Sequence, residues 1–194
     1  MLLALAALAT AWSGYQASLW DGVQSSNYSQ ASAARTEAAQ KHTAANQHRL
    51  ADLSVFENFV DATLDGDTEL AAFYRQRFSD ALEPAYEAWD ALDPWTGGKA
   101  PPSPLTMAEY RPEQEREADE LTDKAEKLFA EGEDARAQSD DYTASTLFFA
   151  SVLFFAAISE RFEYRRARIA LLAIAAVGLL LGATVALTQP VTWG

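Results

Sequence analysis

Three long stretches of the chain are apolar and carry no charge. Residues 1–20, 142–159 and 169–194 contain no Asp, Glu, Lys or Arg, so all 15 basic and all 28 acidic residues lie in 21–141 and 160–168. A water-soluble globule needs charges along its length to solvate its surface. This separation of apolar and charged residues predicts a membrane protein.

The second and third apolar stretches have the length of membrane-spanning helices. Residues 142–159 and 169–188 comprise 18 and 20 residues. At a rise of ~1.5 Å per residue they reach about 27 and 30 Å, against a hydrocarbon core of about 30 Å. Core helices of soluble proteins are rarely this long without a charge. We therefore predict two transmembrane helices, followed by an extracytoplasmic tail at 189–194.

The first stretch, residues 1–20, is less uniform, because polar residues follow its first twelve positions. A cleaved signal peptide is one interpretation. No Lys or Arg forms the basic start of such a peptide, and apolar spacing continues to Val23 as on one helix. We expect an uncleaved signal anchor, the first of three transmembrane helices. Whether Met1 is the true start stays open.

Charge asymmetry predicts the orientation of the chain in the membrane. The loop 160–168 has a net charge of +2, whereas 21–141 has 11 basic and 26 acidic residues and a net charge of −15. Short loops rich in Lys and Arg stay in the cytoplasm. We expect 21–141 on the extracytoplasmic side of a bacterial inner (plasma) membrane, as a multi-pass protein. The predicted topology determinants are Arg161, Arg165, Arg166 and Arg168.

Aromatic residues with a polar group mark the predicted membrane boundaries. Trp and Tyr prefer these boundaries because their rings are apolar and carry one polar atom. In the three-span topology the outer boundary receives Trp20, Tyr142 and Trp193, and the inner boundary receives Tyr164. These anchors agree with three spans, although they do not distinguish the two sides.

The acidic region 21–141 has helical patterns and no convincing strand pattern. Its first helix continues from the membrane span and ends at an acidic turn containing Gly66. Small or apolar residues recur along this helix near three-and-four spacing, which predicts a packing seam. The seam comprises Leu19, Val23, Ser26, Ser29, Ala33, Ala38, Ala45, Leu50, Leu53, Phe56 and Val60.

Local breaks divide the rest of this region. Asp67 is placed as the N-cap of a second helix, which Pro84 restarts or kinks. Residues 93–104 hold two Gly and four Pro and predict a loop. A last helix begins near Pro112 or Glu113 and runs on into the second span. The predicted fold is all-α, with three transmembrane helices and a long helical extracytoplasmic stalk or bundle.

Residues suited to catalysis or metal binding are scarce. Cysteine is absent, and His42 and His48 are six positions apart, about 120° from sharing a helix face. The turn at Asp65 lacks the twelve-residue spacing of a calcium loop. We predict no catalytic residue, no cofactor and no metal site. A net charge of −13 also argues against nucleic acid as a partner, because phosphate binding needs a basic face.

Small residues at four-residue spacing form two stripes on the predicted spans. Lipid provides no hydrophobic drive for helix association, so close packing at small residues supplies it. Such a stripe either packs the spans of one chain or contacts another protein. The predicted helix-packing interface comprises Gly178, Gly182 and Ala186 in one stripe and Gly14, Ser18 and Gly22 in the other.

The runs 12–20 and 147–161, with the aromatic run 73–78, resemble a group of uncharacterised bacterial membrane proteins. These have an N-terminal anchor, a helical exterior segment and a C-terminal helical hairpin. The resemblance implies the topology given above and no site residues, because the group has no assigned activity.

These patterns favour a function in assembly over a function in catalysis. We expect a non-catalytic accessory or scaffolding subunit of a larger membrane complex that acts through helix–helix packing. Its expected partners are the lipid bilayer and other membrane protein subunits or copies of itself. A homo-oligomeric channel or transport component is the alternative, and a periplasmic sensor or binding module is the third hypothesis.

Overall fold

The computed structural model describes residues 2–96 and 100–193, and in these residues the protein is all-α, as predicted. Two short 3-10 turns, Pro94–Thr96 and Pro104–Thr106, accompany the helices, and the described residues contain no strand. The predicted loop at 93–104 includes Gly97, Gly98 and Lys99, which lie outside the described residues. The helices are α1 (Leu2–Leu64), α2 (Thr68–Arg75), α3 (Leu82–Asp90), α4 (Glu113–Ser159) and α5 (Arg165–Thr188).

The turn between α1 and α2 has the predicted structure. Gly66 has a φ of +76°, a left-handed conformation that glycine adopts without steric cost. The side chain of Asp67 accepts a hydrogen bond from the Leu70 N–H at 3.0 Å. This bond satisfies one of the free N–H groups at the start of α2, and it confirms Asp67 as the N-cap.

Pro84 lies in the first turn of α3. The first N–H groups of a helix have no partner within it, so proline is tolerated there. A hydroxyl of the preceding segment, Ser79 Oγ, accepts from the Leu82 N–H at 3.1 Å. The predicted restart of the helix therefore falls at Leu82, two residues before the proline.

The last two helices are longer than the apolar segments they contain. α4 runs without a break from Glu113 to Ser159, as predicted. α5 begins at Arg165, four residues before the apolar segment. The last four residues of the predicted segment 160–168, three of them arginines, are therefore helical and belong to α5.

The chain divides into two compact units. Unit 1 comprises Met1–Ala31 and Glu126–Gly194, and unit 2 comprises Ser32–Ala125. In unit 1, Ala6 of α1, Val152 of α4 and Ala175 of α5 form a buried cluster. The three apolar segments therefore pack together, and each contributes one buried residue to this cluster.

Unit 2 has an aromatic core. The rings of Phe56 and Trp89 meet edge to face, with centroids 5.3 Å apart and planes at 87°, a favoured geometry for aromatic pairs. Phe59 contacts Tyr86 in the same way, at 5.3 Å and 88°. The buried members of this core are Phe56, Phe59, Leu82, Ala85, Trp89 and Tyr110.

The packing seam predicted on α1 is buried only in part. Ala38, Ala45 and Phe56 are buried as predicted, whereas four other members are exposed, namely Ser26, Ser29, Ala33 and Leu50. Ala34 is buried in place of Ala33. Ala33 and Ala34 are adjacent and identical, so spacing near three and four residues could not distinguish which of them is buried.

Candidate helix-packing and membrane-interface site

The small residues of α5 pack against α4. A Cβ atom built on Gly182 would lie 2.9 Å from Phe149 Cε1 and 3.0 Å from Phe148 Cβ. One built on Gly178 would lie 3.3 Å from Val152 Cγ2. The α5 backbone therefore rests on side chains of α4, and Ala186 of the same stripe is half-buried. This stripe therefore faces α4 of the same chain.

The other small-residue stripe, on α1, has no neighbour in the described part of the chain. A Cβ built on Gly14 or on Gly22 would have no atom within 4 Å. Ser18, which lies between them, is exposed. The two predicted halves of the packing interface are thus in different environments, one filled and one open.

A polar contact fixes the end of the chain to α1. Gln16 is fully buried. Its side-chain amide donates to the Thr192 carbonyl at 3.1 Å and accepts from the Thr192 N–H at 3.0 Å. A primary amide thereby satisfies both backbone groups of one residue. Gln16 is not among the predicted site residues, although a glutamine within an apolar helix is a signal for a buried polar contact.

The predicted outer anchors gather around this contact. Trp20 Nε1 and the Tyr142 hydroxyl both donate to the Pro190 carbonyl, at 3.1 and 3.2 Å. Trp193 meets Trp12 edge to face, with centroids 6.2 Å apart. Tyr142 is fully buried whereas Trp193 is 80% exposed. The predicted anchors therefore share one cluster, in which one ring faces inward and another outward.

The predicted topology determinants surround the connection between α4 and α5. Arg161, Arg165, Arg166 and Arg168 are all exposed. Tyr164, the predicted inner anchor, is the N-cap of α5 and is 81% exposed. This end of unit 1 is therefore basic and carries an exposed aromatic ring.

The apolar side chains of α4 and α5 largely face outward. Both helices are long and apolar enough to cross a membrane, with mean hydropathies of 1.6 and 2.5 over their most apolar 18 residues. Only 33% of that window is buried in α4 and 11% in α5. Core helices of soluble proteins are mostly buried instead. Exposed large residues include Leu147, Phe154, Ile169, Ile174, Val177, Leu180 and Leu187.

In unit 2 the most buried charged group is Asp52 of α1. Its Oδ2 atom accepts from Ser79 Oγ at 2.8 Å and from the Tyr110 hydroxyl at 2.9 Å. Burial, followed by the hydrogen bond to this carboxylate, raises the pKa of Tyr110 well above its usual value. Nothing in the spacing of the sequence singled out Asp52.

Chemistry typical of metal or acid–base sites is sparse in the described part of the chain. No group of three or more His, Asp or Glu residues there is placed to hold a metal ion. His42 and His48 are exposed on α1.

No protein-family model, curated protein or solved structure matches the chain. The resemblance to bacterial membrane proteins therefore stays an expectation from the sequence.

Proposed function

We propose that this chain is a non-catalytic integral membrane protein that serves as an accessory or scaffolding subunit of a larger membrane complex. The outward-facing apolar surface of α4 and α5 carries the proposal. Only 11% of the most apolar window of α5 is buried, and a large exposed apolar surface is rare on a soluble monomer. A lipid bilayer is the environment in which that surface is stable.

The start of α1 supports a third span. Ala6 is buried with Val152 and Ala175 in the cluster that joins α4 and α5. Leu5 and Leu8 on the same segment are exposed. An apolar segment that packs on two spans and turns its leucines outward fits a membrane position. We therefore propose three transmembrane helices, with α1 as an anchor.

The charge distribution supports an orientation. The spans cross the bacterial inner membrane with the exposed arginines of 160–168 in the cytoplasm. The acidic region 21–141 then lies on the extracytoplasmic side as a helical stalk or bundle. The tail at 189–194 is then extracytoplasmic, and the carbonyl of its Pro190 accepts from Trp20 and Tyr142.

The stripe on α1 is the surface that we propose for assembly. The stripe on α5 is already filled by Phe148, Phe149 and Val152, so it is not free for a partner. Gly14 and Gly22 have open space around them. Small residues allow a second helix to approach the backbone closely, which is how membrane helices associate. A neighbouring subunit would contact α1 at this face.

Paired glycine-to-leucine variants test the proposal. Gly14→Leu/Gly22→Leu adds bulk where the chain has space, so we expect normal folding and loss of the partner. Gly178→Leu/Gly182→Leu adds bulk against α4, where overpacking costs about 1–3 kcal/mol per site, so we expect a destabilised α4–α5 hairpin. The measurement is mass and composition of the complex purified in mild detergent, with circular dichroism and thermal melting of each variant.

The outcomes separate the hypotheses. A wild-type assembly containing other subunits, lost only in Gly14→Leu/Gly22→Leu, supports the accessory role. A closed ring of this chain alone supports the channel alternative. A monomeric wild-type protein, or an assembly unchanged by both pairs of substitutions, contradicts assembly through α1.

A further inference from the structure

A cavity of about 500 Å³ in unit 2 lies between α1, the end of α3 and the segment that follows α3. Binding sites for small molecules have volumes of about 300–1,000 Å³. The residues that line the cavity include three aromatic rings and two carboxylates, and no Lys, Arg or His of the described chain is among them. The cavity therefore has the volume of a small-molecule site and a negatively charged lining.

The aromatic wall is built from rings that meet at right angles. Trp89 lies edge to face with Phe56 at 5.3 Å and with Trp95 at 5.6 Å, with planes at 87° and 81°. The three rings form an aromatic corner at one wall of the cavity, in which Trp95 is 40% exposed and Phe56 and Trp89 are each 5% exposed. The face of an aromatic ring carries negative charge density and attracts cations.

The polar atoms of the two indoles are already occupied. Trp89 Nε1 donates to the Pro101 carbonyl at 2.6 Å, and Trp95 Nε1 donates to Asp90 Oδ1 at 3.1 Å. An anion in the cavity would find neither indole N–H available. The ring surface that the cavity offers is therefore mainly that of Trp95, which suits a cation with an apolar exterior.

Two carboxylates complete the site. Glu57 and Asp61 line the cavity and lie one turn apart on α1, and neither forms an ion pair with a described residue. Like charges at this spacing repel each other, and a bound cation would relieve that repulsion. The net charge of −15 in 21–141 further raises the local concentration of cations.

A second cavity in unit 2, of about 540 Å³, differs in its charges. Arg49 and Arg116 line it together with Glu113 and Glu115. There the opposite charges already pair, Arg49 with Glu115 at 3.2 Å and Arg116 with Glu113. That cavity is internally neutralised, whereas the one at Trp89 is not.

We infer that the cavity at Trp89 and Trp95 binds a small organic cation whose ammonium group carries methyl or other alkyl substituents. An alkylated ammonium group retains its positive charge, which attracts the carboxylates of Glu57 and Asp61. Its alkyl groups provide an apolar surface that can contact the aromatic rings. Two carboxylates at one wall make a poor metal site, because hard cations require six or more oxygen ligands. This inference does not depend on the membrane assembly proposed above.

Titration of the full chain with choline tests the inference. The protein is held in maltoside micelles, which contain no choline headgroups, and binding is measured by calorimetry and by the indole N–H resonances in NMR spectra. We expect saturable binding that shifts two of the five tryptophan resonances. The uncharged isostere 3,3-dimethylbutan-1-ol should bind at least about fivefold more weakly, because it lacks the cation–π term. Equal binding of the isostere would overturn the assignment.

Three variants locate the site. Glu57→Gln/Asp61→Asn and Trp95→Ala change exposed side chains, and each should weaken choline binding at least about fivefold. Glu37→Gln removes an exposed carboxylate of α1 outside the cavity and should bind as the wild type does. Circular dichroism verifies the fold of each variant. Absence of saturable binding, or wild-type affinity in both cavity variants, would overturn the proposal.

Discussion

Asp52 shows how a single buried carboxylate can organise a helical unit. Burial of such a group is unfavourable unless its oxygen atoms are hydrogen-bonded, and Asp52 accepts from Ser79 and Tyr110. Ser79 Oγ also accepts from the Leu82 N–H at the start of α3. The carboxylate of Asp52 thereby links α1 to the start of α3 and to Tyr110, which lies just before α4.

Replacing Tyr110 with Phe tests this role. The variant leaves the ring in the aromatic core but removes one of two donors to Asp52, so we expect a loss of about 1–3 kcal/mol in local stability. Hydrogen exchange of the amides near Asp52 and Leu82 measures it. Ser103→Ala, which removes only the cap of a 3-10 turn, is the control. Exchange no faster than in the control would contradict the assigned role.

The same variant should change the response to alkaline pH. The pKa of Tyr110 is raised in the folded state, so its contribution to stability is complete below about pH 10, the ordinary tyrosine pKa. The contribution is lost as pH rises through the folded pKa. Wild-type unit 2 should therefore weaken more steeply than Tyr110→Phe in strong alkali. Burial also raises the pKa of Tyr86, so the stability of the Tyr110→Phe variant should still fall with rising pH, but less steeply than that of the wild type.

At Gly132 the backbone of α4 lies close to an aromatic ring of α1 in unit 1. A Cβ at this position would lie 2.6 Å from both Cδ1 and Cε1 of Tyr28. Tyr28 stacks on Phe129 at 5.3 Å and donates from its hydroxyl to Glu133. The ring is therefore held on several sides and has little freedom to move away.

Gly132→Ala should destabilise unit 1 by about 1–3 kcal/mol, as overpacking does elsewhere. Adding Tyr28→Ala should remove most of the penalty of the alanine, and a double-mutant cycle of thermal melts measures that coupling. Gly14→Ala is the matched control, because a Cβ built at Gly14 would have no described atom within 4 Å. Additive effects of the two substitutions would show that the ring and the glycine do not interact.

The first turn of α5 is electrostatically unusual. Arg165, Arg166 and Arg168 lie where the helix dipole is positive, and each basic residue there costs about 0.3–1 kcal/mol. Local helix stability would favour acidic residues instead. In the proposed topology these charges keep the α4–α5 connection in the cytoplasm, which accounts for their position.

Single cysteines test that orientation, because the chain contains none of its own. Cysteines replacing Ala100 and Ala167 should react differently with a membrane-impermeant thiol reagent on cells whose outer membrane has been made permeable. We expect labelling at position 100 and protection at position 167 until the inner membrane is disrupted. Labelling of position 167 from outside would reverse the proposed topology.

Two separate cores stabilise the chain as a whole. The cluster of Ala6, Val152 and Ala175 belongs to unit 1, and the aromatic core around Trp89 belongs to unit 2. The two cores have no residue in common, although α1 and α4 contribute to both units. A substitution in one core should therefore act mainly on its own unit.

Hydrogen exchange across the full chain tests this independence. Gln16→Leu leaves both backbone groups of Thr192 without their partner, which costs about 1–3 kcal/mol, so exchange should rise at 189–193 and stay unchanged in unit 2. Tyr110→Phe should produce the opposite pattern. If either variant raised exchange equally in both units, the chain would unfold as one cooperative body.

Helix boundaries and apolar segments were predictable because they depend on nearby residues. Gly66 provides the positive φ and Asp67 the cap that end α1 and start α2. The absence of charge in 142–159 and 169–188 is visible in the sequence itself. These signals act over one or two helical turns, so they need no knowledge of the fold.

The partners of individual side chains required the tertiary structure. Asp52 bonds residues 27 and 58 positions away, and Gln16 bonds one 176 positions away. Spacing identified both small-residue stripes, but not that one is filled and the other open, because that depends on which helix lies alongside. The aromatic corner at Trp89 and Trp95 likewise forms only when α3 and the following segment lie against α1. Local chemistry thus determined the helices, and packing between distant segments determined which surfaces remain free.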